Sequence, residues 1–477
     1  MLTRRSVLAV DVGTSAVRAA VVTESGSRMA TSRRTRPIGE TGDTFSPAAL
    51  WADVVATING IDPALLAEVA VVSISAHIGQ VFLDDDLRPV GVATSWADTR
   101  GISQLTNRWG VMSSHFLAQA GRPSLTGGGL AAYLHRAETR PAETATIRWI
   151  VSPKDFLIAR LTGAVVTDVT TAGYTSASAV RERAWSVDAI TAAGVDPALF
   201  PPQLEAIDIA GEVTTPAGET LRIPPGTLVA AGGPDGSLGA LAVLGGRTDA
   251  IADIAGSTDV LSRLITSHRG APPRAVLNAA PLTSAWSIGG ATGLTGGAVS
   301  AWAAELGFTD AASYGEVIDA VPIGARGTTV LPWTSGARFP RWQPDSTGTT
   351  VSARLDRAPA ELFRAAVEGA AFCVREAVDV LDPDTDATIV LAGGLSRSKI
   401  FTQLRADVLG REVRVSSDPD ASLEGAGLIG LVVAGFHESV QVAAHLARPT
   451  TVIAPRPHLR SQFEEAFQAW VESAKFD

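Results

Sequence analysis

One cysteine, Cys373, occurs in 477 residues. No disulfide can form within the chain, and no cysteine-based zinc site exists. The seven histidines, His77, His115, His135, His268, His437, His445 and His458, show no short metal-ligand spacing. Lysine is almost missing too: only Lys154, Lys399 and Lys475 are present, and none follows a glycine. That excludes a Walker A loop, which needs Gly-Lys before a Ser or Thr. No strand-linked GxGxxG stands near the start, which disfavours a Rossmann dehydrogenase, and the HRD loop of protein kinases is missing. No run approaches the ~18 apolar residues of a membrane span; the longest, AGLIGLVVAGF at 426–436, is too short. A net charge of −10 argues against a generic nucleic-acid surface. A cytoplasmic protein is the expectation from the low cysteine usage. MLTRRSVLAV starts like a signal peptide, but Asp11 interrupts its apolar run, so the segment reads as a first strand.

What is present is length, apolar residues and glycine. The chain is long for one core, and 46% hydrophobic residues can fill more than one. Residues 8–22, LAVDVGTSAVRAAVV, read as strand, turn, strand around a polar knot of Asp11, Gly13, Thr14, Ser15 and Arg18. Turns facing water have this composition. So do turns that cradle a phosphate, where glycine admits backbone N–H groups and a carboxylate holds a hydrated cation. Residues 250–265, AIADIAGSTDVLSRLI, echo the pattern, with Asp253, Gly256, Ser257 and Thr258. An echo between two halves of a chain suggests duplicated domains across a cleft, although such residues also recur in hairpins by chance.

Other elements fill in an α/β alternation. Ser46 and Pro47 start a helix over 46–58, residues 69–77 read as a buried strand, and 81–91 as strand, polar turn, strand. Residues 362–381 have helical apolar spacing, with Cys373 serving packing. TIVLAGGLSRS at 388–398 reads as strand, glycine turn, helix start. The hydroxyl and glycine turns at Gly13-Thr14, Gly256-Ser257-Thr258, Gly296-Gly297 and Gly393-Gly394 together suit a nucleotide without a Walker lysine. Asp235, in AAGGPDGSLGALAVLGG, sits between an expected strand and a small-residue helix. It reads either as the cap of that helix or as a carboxylate at a strand end, where α/β active sites form.

These segments, in this order, resemble the FGGY family of carbohydrate kinases, closest in pattern to its xylulose-kinase-like members. DVGTSAVR (11–18), SWADTR (95–100), SPKDFLIARLTG (152–163) and TDVTTAGYTSA (167–177) carry the likeness in the first half, with GGPDGSLGA (232–240). AGSTDVL (255–261), GLTGGAVSAW (293–302), LPWTSGARFPRW (331–342), AVEGAAF (366–372), LAGGLSRSKIFTQLRADVLGREV (391–413) and LEGAGLIG (423–430) carry it in the second. The resemblance implies an α/β, actin-like fold: two ribonuclease-H-type domains, expected at 1–243 and 244–477, with a central cleft. It implies ATP and Mg²⁺ as cofactors and a small sugar or polyol as partner. No nucleic acid or membrane partner is expected, and a homodimer is the one assembly entertained.

The resemblance also implies roles. Asp235 is the general base and also touches the substrate. Asp11 holds Mg²⁺ through water. Thr14, Ser15 and Arg18 contact the phosphates from one domain, and Gly256, Ser257 and Thr258 from the other. Gly296 and Gly297 let the nucleotide lie close, and Gly394 and Ser398 sit at the adenosine. Asp98 and Trp96 face the sugar, although Trp96 also reads as core filling. His77-Ile78-Gly79-Gln80 stands where xylulose kinases carry Gln-Met-His-Gly, so His77 and Gln80 are substrate candidates out of register. A ketopentose such as xylulose is the expected acceptor. The alternatives are gluconate, glycerol or erythritol, or a catalytically idle actin-like ATP-binding regulator.

Overall fold

The computed structural model describes residues 4–36, 42–256, 258–293, 295–308, 310, 314–333, 336–346, 348–352, 356–418, 420–444 and 450–475. The apolar run at the N-terminus forms the centre of a sheet. Strands β1 (Ser6–Val12), β2 (Ala16–Thr23) and β3 (Arg28–Thr35) are antiparallel, while β4 (Val69–Ala76) and β5 (Leu228–Ala230) lie parallel to β1 on its other side. The order is β3–β2–β1–β4–β5, with Ile209–Glu212 beyond β5. All seven residues of β1 are buried. A strand covered on both faces gives such a continuous apolar run. Leu8, Val10 and Val12 point to one core, with Leu50, Val54 and Ile58 of helix α1 (Pro47–Ile58). Val7 and Ala9 point to the opposite one. Helix α1 begins as its sequence dictates: the Ser46 hydroxyl accepts the Ala49 N–H at 3.2 Å, a cap worth about 1 kcal/mol.

The second half repeats this architecture. Strands β6 (Ala250–Ala255), β7 (Asp259–Ile265), β8 (Trp286–Ala291), β9 (Thr388–Ala392) and β10 (Val413–Ser416) run β8–β7–β6–β9–β10. Again three are antiparallel and two parallel to the first. The echo between residues 8–22 and 250–265 is therefore an echo of position: both segments are the central hairpin of their sheet. The fold is α/β and actin-like, as the motif order implied.

Packing between the halves crosses the expected boundary at 243/244. Helix α2 (Asp235–Leu244) follows the first sheet, yet its Ala240 and Leu244 pack on Ala250 and Ala252 of β6. Further along the chain come α3 (Thr295–Glu305), α4 (Pro359–Leu381), α5 (Lys399–Leu409) and α6 (Ala421–Val433). The last of these belongs to the second half by sequence, but Leu423, Ala426 and Ile429 pack on Val7 and Ala9 of β1. Helices α2 and α6 touch directly. A Cβ on Gly425 would lie 2.1 Å from the Leu238 carbonyl oxygen, which only glycine allows. Each half thus lends a helix to the other's sheet.

The expected strand after the turn at 84–88 does not form; only an isolated bridge joins Leu83 to Pro89. Proline there cannot donate to a ladder, and the Asp84 carboxylate caps the turn by accepting the Asp86 and Arg88 N–H groups. A four-stranded sheet of Thr44–Phe45, Gly79–Leu83, Ala93–Ser95 and Trp149–Val151 lies beside the first sheet. Beneath it, Lys154 is buried between Asp155 at 2.6 Å and Asp168 at 3.2 Å. The signature at 152–163 therefore builds a floor. Among the described residues, no helix is long and apolar enough to cross a membrane.

Candidate functional site

A cavity of 460 Å³ opens between the two sheets. Thr14, His77, Gln80, Trp96, Asp98 and Asp235 line it from the first half, and Thr258 from the second. These are seven of the residues the sequence singled out, spread over more than 240 positions and converging on one space.

Asp235 is the first residue of α2, set there by β5 and by a short pairing of Gly233–Pro234 with the end of β4. The preceding proline occupies the cap position and offers no side-chain cap. The Asp235 carboxylate accepts the Gly236 N–H at 2.7 Å, has no side-chain donor among the described residues, and lines the cavity. The helix-cap reading therefore covers a single bond. Burial pushes its pKa from 3.8 up to about 7, and the nearby Asp11 charge adds to the rise. A carboxylate poised near neutrality matches general-base work.

Asp11 lies behind this wall on β1, 4% exposed. Ser75 donates to one carboxylate oxygen at 2.8 Å, and Arg18 to the other at 3.0 Å. Burial raises its pKa against these partners. Arg18 faces Asp11 across the hairpin register and also reaches Asp420 at 3.2 Å, just before α6. The cation expected at the phosphates is thus already shared by two carboxylates. Thr14 and Ser15 are exposed at the hairpin tip. Arg36 holds the turn by donating to the Gly13 carbonyl at 2.9 Å, and its backbone N–H donates to the Ser15 carbonyl.

The glycine turns of the second half converge on one another. A Cβ on Gly296, at the start of α3, would lie 2.1 Å from the Gly256 carbonyl oxygen and 3.0 Å from the Leu395 side chain. Gly297 follows in the first turn of α3. Gly394 is exposed, with nothing within 4 Å of an added Cβ, and Ser398 is half-buried just before α5. Turns 256, 296 and 395 therefore meet beside an open face near α5. Ser257 lies outside the described residues.

On the first-half side, His77 is buried and its pKa is lowered to about 4, mainly by burial, so the ring is neutral. Nδ1 lies 3.1 Å from the Ile78 carbonyl and must carry the proton. Nε2 is then an acceptor, and among the described residues neither it nor the Gln80 Oε1 has a partner. Two buried, unfilled acceptors suit hydroxyl groups. Asp98 also lines the cavity. Arg100 grips both its carboxylate oxygens, at 2.7 and 2.9 Å, so only its remaining lone pairs can meet a ligand. Trp96 lines the cavity with the Arg338 guanidinium 5.1 Å from its ring centroid.

Sequence reasoning missed Arg122, Tyr174, Asn278 and Arg338, all of which line the cavity. Tyr174 and Arg338 lie inside quoted segments, so a reader of TDVTTAGYTSA and LPWTSGARFPRW had the signal. Arg122 falls in AGRPS, which carries only the signature of a loop.

Two family models match: the FGGY family of carbohydrate kinases, N-terminal domain, over residues 6–242, and its C-terminal domain over residues 263–434. A xylulose kinase of Lactococcus lactis is 24% identical, over 98% of this chain and 96% of its own length. A gluconokinase of Bacillus licheniformis is 22% identical, over 84% and 81%. Among solved structures, gluconate kinase from Lactobacillus acidophilus superposes with a TM-score of 0.89 at 20% identity, covering 98% of this chain and 97% of that one. The motif order, the repeated sheet and both family models agree: this chain belongs to the FGGY family of carbohydrate kinases.

Proposed function

We propose that the protein transfers the γ-phosphoryl group of ATP to a hydroxyl of a small carbohydrate held in the cavity, with Asp235 as general base. The observation that carries this reading is the setting of Asp235. It is a carboxylate raised to about 7, free on its cavity side, between the hairpin turns that bear Thr14 and Thr258. The substrate hydroxyl gives its proton to Asp235 as its oxygen bonds to the γ-phosphorus. The bond from that phosphorus to the β,γ-bridging oxygen breaks, and ADP leaves with the electron pair. The transition state is loose, so positioning and charge neutralisation supply most of the rate.

Thr14 and Ser15 donate to the phosphates from one side and Thr258 from the other, with Gly256 and Gly296 keeping the floor low. The adenosine lies by Gly394 and Ser398. Among the described residues no group of three or more His, Cys, Asp or Glu side chains can cage a metal. Mg²⁺ needs no such group, because it keeps most of its waters and takes one or two carboxylates plus phosphate oxygens. Asp11 fits as that carboxylate, since each oxygen carries one donor and retains a lone pair. Mg²⁺ bound there would neutralise charge on the phosphate oxygens. Arg18 fixes the Asp11 rotamer and ties the hairpin to Asp420.

His77 and Gln80 accept substrate hydroxyls, and Trp96 packs on the carbon skeleton. The relatives act, by name, on xylulose or are gluconokinases, so they support a ketopentose and an aldonate alike. The idle-regulator reading leaves Asp235 without work, because nucleotide binding needs no base. ADP release screened over pentuloses, aldonates and polyols, beside Asp235→Asn, tests the proposal. We expect a sugar-dependent rate that falls roughly 10²- to 10⁴-fold in the variant while sugar and nucleotide binding persist. A rate that survives the substitution removes Asp235 from the role.

A further inference from the structure

The charged lining of the cavity is asymmetric. Its acids are Asp98 and Asp235, and its bases are Arg122 and Arg338. Asp98 is already neutralised by Arg100. Elsewhere in the protein, buried and half-buried arginines meet carboxylates: Arg36 meets Asp53, Arg136 meets Glu143, Arg183 meets Glu205, and Arg364 meets Glu368. Arg122 and Arg338 do not; among the described residues neither has an ion-pair partner. Arg122 lies 4.5 Å from the Tyr174 ring centroid and donates from Nη2 to the Gly173 carbonyl. Arg338 lies against Trp96 and has no side-chain acceptor within the described residues. Burial lowers the pKa of both, the cost of holding a guanidinium away from water without an anion. Arginine does not deprotonate in proteins, so each stays charged.

Two guanidiniums that face one cavity, neither ion-paired among the described residues, form a site suited to an anion. The nucleotide does not account for it. Arg122 stacks on Tyr174 and Arg338 on Trp96, beside His77 and Gln80, whereas the glycine turns at 256, 296 and 394 lie apart from that wall. A planar carboxylate matches the guanidinium fork in shape as well as charge. We propose that the acceptor sugar is an aldonate, an open-chain sugar acid, whose carboxylate is held by Arg122 and Arg338 while its hydroxyls meet His77, Gln80 and Asp235. The proposal rests on the kinase reading of the same site and chooses among its substrates, displacing the ketopentose. Arg122 and Arg338 come from opposite halves, so an acid also draws the halves together, which a neutral sugar of the same length does not.

Isothermal titration in the presence of ADP tests the charge preference apart from turnover. The probes are D-gluconate and D-xylonate against D-glucitol, xylitol and D-xylulose. We expect at least one acid to bind roughly tenfold or more tightly than its neutral counterpart. Arg122→Gln and Arg338→Gln should each weaken that acid by roughly 10- to 150-fold, leaving the neutral sugars within about threefold, with Arg122→Lys and Arg338→Lys recovering part of the loss. ADP affinity reports that each variant is folded. Neutral sugars binding as tightly as acids, or variants that weaken both alike, overturn the proposal. Tighter binding of D-xylulose 5-phosphate than of either aldonate overturns the carboxylate assignment. An acid that binds as expected but drives no ADP release leaves the anion site standing and defeats the kinase reading. ADP release driven by D-xylulose and by neither acid does the reverse.

Discussion

In the first half, the buried carboxylate of the central hairpin, Asp11, faces Arg18 across the strand register; in the second, Asp253 faces Leu261 and is met instead by Arg405, from α5. The Arg405 Nε lies 3.4 Å from Asp253, and its Nη2 donates to Asp259 at 2.8 Å. Arg18 is 26% exposed, whereas Arg405 is 10% exposed and Asp253 fully buried. One hairpin, placed twice in the same sheet position, buries its acid in both copies but pairs it with a partly exposed arginine in one and a buried arginine in the other. Backbone repetition therefore fixes where a carboxylate sits, and the source of its partner decides what it is for.

Parallel substitutions on the two sides can break this comparison. Arg405→Met leaves Asp253 and Asp259 buried without a cation and should destabilise by about 3–5 kcal/mol, read by urea unfolding. Arg18→Met leaves the buried Asp11 with the Ser75 hydroxyl as donor and should cost less, about 1–3 kcal/mol in stability. Equal costs would mean that both pairs serve the fold. Asp11→Asn should weaken the apparent affinity for Mg²⁺ and ATP by roughly tenfold or more while Asp253→Asn leaves it within about twofold. Matching losses would put the metal carboxylate in doubt.

The smallest effect is one of pH. Burial holds Asp253 at about 7 against an ordinary 3.8, with the Asp259 charge adding and Arg405 opposing. The folded protein thus binds a proton there that the unfolded chain has lost. This contribution to stability is fully present below 3.8 and disappears as pH rises to about 7. Asp253→Asn should therefore gain stability relative to the wild type on going from about pH 5 to about pH 8. A difference independent of pH would show that Asp253 is ionised throughout.

Much of this was legible in residues 8–22 and 250–265, because a strand buried on both faces must be apolar and any polar residue inside it stands out. Asp11, Gly13, Thr14 and Asp253 were visible for that reason. Asp235 was legible as a base only through the family resemblance; its raised pKa was not, since that comes first from burial and then from Asp11, more than 220 positions away. The exchange of α2 and α6 between halves was hidden, because both read as small-residue helices whatever they cover. The engagement of Asp98 by Arg100 was written in SWADTR, but spacing alone does not say which way a guanidinium turns. Arg122 left no trace, since nothing in AGRPS distinguishes a solvated loop arginine from one stacked on Tyr174 in a cavity.

The central claim is that one half-buried carboxylate, tuned by the hairpin behind it, takes the sugar's proton. The pH dependence of kcat/KM for the sugar tests it most directly. We predict an acidic limb with an apparent pKa near the value of about 7 held by Asp235, moved to lower pH in Asp11→Asn as the neighbouring negative charge is removed. A profile flat from about pH 5 to about pH 9, or a limb that Asp11→Asn leaves in place, contradicts the account.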